Sequence, residues 1–141
     1  MFLQLHYYFL VSQLIDVQHI AKQMLRLFKT HPKLNWLPIE SDEDLRNALS
    51  TSDKVALFKH STRCPVSSMA KNRLEKSWDK ESNETPIYLL DLIRFRQLSN
   101  KIAEDLAVEH ASPQLILIQN GKSIFDVSHH MIQSSEVAKH I

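Results

Sequence analysis

Apolar positions along this chain alternate between two spacings, and each change of spacing marks a change of element. Trp36 and Ile39 are the apolar positions of a short edge strand over residues 35–39. Ser41, with Asp44 three residues on, then caps a helix over residues 43–49, whose stripe is Leu45, Ala48 and Leu49. After the polar turn Thr51-Ser52-Asp53, the run Val55-Ala56-Leu57-Phe58 reads as a buried strand. Val66, Met69, Ala70, Arg73, Leu74 and Trp78 recur at three and four residues, predicting a helix from Pro65 to about Lys80. A polar loop over residues 81–84 leads to a strand over 86–91 and a helix over 99–108 with Ile102, Ala103 and Leu106 inward. Residues 115–119 are a continuous apolar strand, Asn120-Gly121 is a two-residue hairpin turn, and residues 123–127 return antiparallel. Ser134 or Ser135 caps a short last helix reaching Ile141. The order β-α-β-α-β-α-β-β-α predicts an α/β domain with a central mixed sheet and helices on both faces.

The domain is expected over residues 34–141, after a linker at Thr30-His31-Pro32-Lys33. Residues 1–33 form an N-terminal extension. Its first ten residues are apolar and aromatic but broken by Gln4 and His6, with no basic residue ahead of them and no cleavage site behind. They predict neither a signal peptide nor a membrane span. Leu14, Val17, Ala21, Met24, Leu25 and Phe28 fall on one helical face. Two readings stay open: an amphipathic helix over 14–28, or translation beginning at Met24. The lack of any recognisable motif before Met24 favours the second.

Composition narrows the function. Seventeen basic against sixteen acidic residues leave a net charge of +1, which gives no footprint for nucleic acid or an anionic membrane. One glycine in 141 residues excludes a phosphate-cradling glycine loop. One cysteine excludes an internal disulfide and fits a reducing, cytoplasmic setting. Eight histidines raise the question of metal, but no paired Cys or His spacing supplies a third ligand, and His129-His130 alone is a weak signal, so no metal site is expected.

That lone cysteine is the candidate nucleophile. Cys64 follows the expected strand and precedes Pro65, a residue suited to the first helical position. The sulfur then lies beside the free N–H groups of a helix N-terminus, where the dipole favours thiolate over thiol. Arg63 adds positive charge, although a solvated surface arginine is its plain alternative. A buried structural cysteine is also common, but Thr62, Arg63, Pro65 and Ser67 are not core-like neighbours. Ser67 stands where a dithiol enzyme has its second cysteine, so Cys64 has no resolving partner. The Ser67 hydroxyl is either a donor to the thiolate or an ordinary first-turn residue. His60 is expected to be structural, since exchange needs no base once the thiolate exists.

Residues 59–68 (Lys-His-Ser-Thr-Arg-Cys-Pro-Val-Ser-Ser), residues 110–114 (His-Ala-Ser-Pro-Gln) and Ser128-His129 resemble the monothiol bacilliredoxins of the YtxJ-like family, within the thioredoxin-like superfamily. The resemblance covers roughly residues 35–141. It implies a thioredoxin-like fold and a thiol-disulfide oxidoreductase of redox homeostasis that removes bacillithiol from protein mixed disulfides. Cys64 would carry the exchange, with Arg63, Pro65 and Ser67 stabilising its thiolate. Ser112-Pro113 would be the cis-proline loop. Substrate contacts are implied at Thr62, Ser112, Pro113, Ser128 and His129, with Lys59, Arg63 and His129 edging the site to hold the carboxylates of bacillithiol. No tightly bound cofactor is implied; bacillithiol is a co-substrate, and the partners are bacillithiolated client proteins. Two alternatives stand beside this reading. One is an iron–sulfur carrier of the monothiol glutaredoxin kind, against which Pro65 in place of glycine counts. The other is a redox sensor modified at Cys64 without turnover.

Overall fold

A computed structural model describes residues 34–78 and 85–141. The expected helix over 14–28, the Met24 start, the linker at 30–33, the polar loop at 81–84 and the last two residues of the expected 65–80 helix lie outside the described residues.

Five strands form one mixed sheet in the order β1-β3-β2-β4-β5. They are β1 (Trp36–Pro38), β2 (Val55–His60), β3 (Ile87–Asp91), β4 (Gln114–Gln119) and β5 (Lys122–Ser128). β1 and β2 run parallel to β3, while β2 with β4 and β4 with β5 are antiparallel. The helices are α1 (Asp42–Ser50), α2 (Pro65–Ser77), α3 (Arg96–Asp105) and α4 (Ser134–Val137), and a 3-10 turn spans His129–Met131. No helix among the described residues is long and apolar enough to cross a membrane.

Alternation along the central strands divides the core in two. Val55 and Leu57 of β2, with Ile116 and Ile118 of β4, pack against Leu45 and Ala48 of α1 and Leu98 and Ile102 of α3. Ala56 and Phe58, with Leu115 and Leu117, pack on the other face against Ala70 and Leu74 of α2 and Val137 of α4. β2 is therefore covered on both faces and every residue in it is buried. It runs two residues beyond the apolar run, because Lys59 and His60 are buried too. Each has a polar partner, Gln114 and Ser67 respectively, which is what burial of such groups requires.

Other elements follow the sequence closely. Ser41 Oγ accepts the Asp44 N–H at 3.1 Å, and the Asp44 carboxylate accepts the Glu40 N–H at 3.0 Å, a reciprocal cap. Asn120 and Gly121 both take positive φ, 51° and 69°, as the hairpin turn demands.

Three elements differ. α3 begins at Arg96, not Ser99. The Asp91 carboxylate accepts the Ile93 and Arg94 N–H groups and starts the turn, while the N-cap Phe95 has no capping side chain, so the usual signal is missing. The helix stops at Asp105 in a Schellman motif: Ala107 is left-handed (φ 52°), its N–H donates to Glu104 O, and Val108 N–H donates to Ala103 O. Alanine there hides the stop. α4 ends at Val137, and neither serine caps it: its N-cap is Gln133, and Ser134 Oγ donates to the Ser77 carbonyl instead. On α2 the inward stripe is Ser67, Ala70 and Leu74, which leaves Val66 and Met69 exposed at 45% and 60%.

Candidate active site around Cys64

β2 delivers the chain to the turn 61–64, closed by a bond from Cys64 N–H to Ser61 O of 3.1 Å. Cys64 is the N-cap of α2 and half-buried; Pro65 is the first residue of the helix. The Cys64 side chain makes no capping bond, so the first-turn N–H groups of Val66 and Ser67 are left without a helical or side-chain acceptor from it. Thr62, Arg63, Pro65 and Val66 are exposed around it. A thiol at this position is open to attack on a disulfide from solvent.

Ser67 behaves differently from the expected thiolate donor. It is fully buried; its Oγ accepts the Ser61 N–H at 3.0 Å and lies 2.7 Å from His60 Nδ1, and Cys64 is not among its partners. The hydroxyl staples the first turn of α2 to the end of β2 and so holds the cysteine loop from beneath. His60 is structural, as expected: it is buried and stacks on Phe58 at 5.9 Å. Burial, reinforced by the Lys71 charge, pulls its pKa below the usual histidine value against weaker opposing effects of Asp91 and Glu75, so the ring is neutral at pH 7.

The antiparallel pairing of Lys59 with Gln114 puts the start of β4 at the same end of the sheet as the cysteine turn. The Ser112–Pro113 peptide there is cis, as expected. Pro113 is buried and its carbonyl accepts the His129 N–H at 3.0 Å, which joins this loop to the turn after β5. Ser112, Ser128 and His129 line one open cavity of about 430 Å³ together with His110, Gln114 and Asp126. The Ser112 hydroxyl oxygen is buried there without a hydrogen-bond partner. Three of the five expected substrate residues thus meet at one cavity. Thr62 and Pro113 do not line it; Thr62 lies on the cysteine turn beside Arg63.

Lys59 does not edge the site. Its side chain is fully buried on the opposite face of β2 from Phe58, with Val55 and Leu57, because strand residues alternate. Arg73 is a site residue that sequence reasoning read only as part of a helical pattern. Its guanidinium donates to the carbonyls of His129 and Ile132 at 3.3 Å and of His130 at 3.5 Å, fastening the cavity-lining turn to α2. Its only sequence signal is a charge within the helical repeat. Among the described residues no group of three or more His, Cys, Asp or Glu is placed to hold a metal ion.

A five-stranded mixed sheet with a single cysteine at the start of the helix after its central strand, and a cis proline opening the next antiparallel strand, defines a thiol-redox protein of thioredoxin-like architecture. The family model described as monothiol bacilliredoxin BrxC matches residues 37–137, and the chain belongs to that family. Among solved structures it is similar to one described as an oxidoreductase with a thioredoxin fold, at 27% identity and TM-score 0.66, covering 73% of this chain and 90% of that one. It shares its fold with the Malassezia sympodialis thioredoxin (19% identity, TM-score 0.60, 77% and 90% covered). The same holds for mitochondrial thioredoxin 3 of Saccharomyces cerevisiae (20%, TM-score 0.57, 75% and 92%).

Proposed function

We propose that this protein removes bacillithiol from protein mixed disulfides by monothiol exchange at Cys64. The observation that carries the reading is a lone, half-exposed thiol at a helix start, at the same end of the sheet as a polar cavity lined by Ser112, Ser128 and His129. The Cys64 thiolate attacks the bacillithiol sulfur of the mixed disulfide. The sulfur–sulfur bond breaks, the client cysteine leaves as thiolate and takes a proton from solvent, and Cys64 holds bacillithiol in a new disulfide. With no second cysteine in the chain, a thiolate from outside it, of a second bacillithiol or of another protein, attacks this adduct and restores Cys64; with bacillithiol the product is bacillithiol disulfide. Bacillithiol is thus co-substrate, and no bound cofactor takes part.

Mass spectrometry of a bacillithiolated client mixed with the protein tests this. The adduct should pass from the client to Cys64, and Cys64→Ser should abolish the transfer. A client that keeps its adduct, or a glutathionylated client reduced equally fast, overturns the assignment.

A further inference from the structure

Lys59 is a fully buried cation that the exchange chemistry does not use. Its ammonium has one hydrogen-bond partner, Gln114 Oε1 at 3.3 Å, and no carboxylate lies within ion-pairing distance among the described residues. Gln114 is buried as well and fully engaged. Its Oε1 also accepts the Ala111 N–H at 3.3 Å; its Nε2 donates to Glu109 O at 2.9 Å and to Asp126 Oδ2 at 3.2 Å. Two donors face the oxygen and two acceptors face the nitrogen, so only one orientation of the amide satisfies all four. Glu109 and Ala111 belong to the loop that runs into Ser112 and Pro113, and Gln114 and Asp126 line the cavity.

We propose that Lys59 is a positioning residue: acting through Gln114, its side chain sets the loop over residues 109–112 and with it the cavity that receives the small thiol. This rests on the thiol-exchange reading above. Removing the lysine donor leaves the amide oxygen with one partner, Ala111 N–H, and so loosens the amide that anchors Ala111 N–H and Glu109 O.

The geometry also makes the loop sensitive to the lysine's charge. Burial pulls the Lys59 pKa down to about 8, far below the usual lysine value. The charged and titratable groups on this side are Glu109 and His110 of the loop, Asp126 of β5, and Arg96 of α3. On the same face of the sheet β3 presents Leu90 and the phenol of Tyr88, and α1 presents apolar Leu45 and Ala48. The Lys59 charge acts on His110, whose pKa it helps to lower.

Two measurements decide. In the unmodified protein, the ¹³Cε signal of Lys59 and the backbone amide signal of Ala111 are followed by NMR from pH 6 to 10. They should move with one common midpoint, well below that of the other lysines. An Ala111 amide that ignores the Lys59 titration, or a Lys59 that titrates with the rest, overturns the proposal. In parallel, Lys59→Met should raise KM for a bacillithiolated client about tenfold, the scale of one lost buried hydrogen bond, and leave the rate with a small neutral disulfide unchanged. An unchanged KM overturns it too. If the wild type does not act on the client at all, the functional reading fails while the NMR titration still decides the role of Lys59.

Discussion

Ser67 Oγ stands 2.7 Å from His60 Nδ1, and both residues are buried. The pair joins the last residue of the central strand to the first turn of the cysteine helix. It spans the turn that carries Cys64, so the position of the thiol is set by a hydroxyl that makes its hydrogen bonds to His60 and Ser61.

Ser67→Ala should therefore cost stability. It strands the Ser61 N–H and the His60 ring nitrogen in a buried site, at about 1–3 kcal/mol for an unsatisfied group. Urea unfolding checks this; an unchanged midpoint would mean that water replaces the hydroxyl. Ser67→Cys recreates the dithiol spacing and should form an internal disulfide on oxidation, seen as loss of both free thiols. Two thiols that stay free under oxidation would place the Cys64 sulfur facing away from position 67.

Acidification should destabilise the fold through His60, which is buried, and more weakly through His110, which is exposed and screened by solvent. Burial first, then the Lys71 charge for His60 and the Lys59 and Arg96 charges for His110, hold both pKa values below the usual one. The unfolded chain takes up these protons near pH 6.5 or so, while the native protein resists until lower pH. The unfolded state binds more protons in that window, so stability rises with pH across it and falls as pH drops through it. His60→Gln should flatten the slope below about pH 6.5, whatever it does at pH 7. A slope identical to the wild type in thermal melts below about pH 6.5 would assign the effect elsewhere.

Ala107→Gly should stabilise the protein. Ala107 ends α3 at φ 52°, a conformation that costs an L-residue about 1–2 kcal/mol and glycine almost nothing. Against this stands the larger chain entropy of glycine, about 0.5–1 kcal/mol. A net gain of about 0.5–1 kcal/mol follows, read as a higher melting temperature. A lower one would show that the Ala107 methyl makes contacts worth more than the strain.

Arg73 and Arg63 separate positioning from recognition. Arg73→Met removes three hydrogen bonds to the turn over residues 129–132 and should speed hydrogen exchange at the His129 amide, which bonds Pro113 O. Arg63 is exposed beside Cys64 and should act on the ligand: Arg63→Ala should narrow the preference for bacillithiolated over glutathionylated client without altering that exchange. Equal exchange at His129 in wild type and Arg73→Met, or a preference untouched by Arg63→Ala, would remove the respective role.

The order of elements, the two-faced sheet, the hairpin at Asn120-Gly121 and the cysteine at a helix start were all legible in the chain. They rest on local rules: period two against three to four, a Pro at the first helical position, turn residues that accept positive φ. The cis Ser112–Pro113 bond was legible only through family resemblance, since X-Pro bonds favour trans. Contacts across the sheet were not legible, because they join residues far apart in sequence. Ser67 read either as a donor to the thiol three residues away or as an ordinary first-turn residue, and its hydroxyl is bonded to His60 and Ser61. Lys59 looked like a charge edging the site at a strand end; two-sided coverage of β2 and a facing Gln114 on β4 buried it. Arg73 looked like part of a helical repeat and became the fastening of a turn more than fifty residues away. Periodicity tells a side chain which face it takes, and only the assembled sheet decides what waits there.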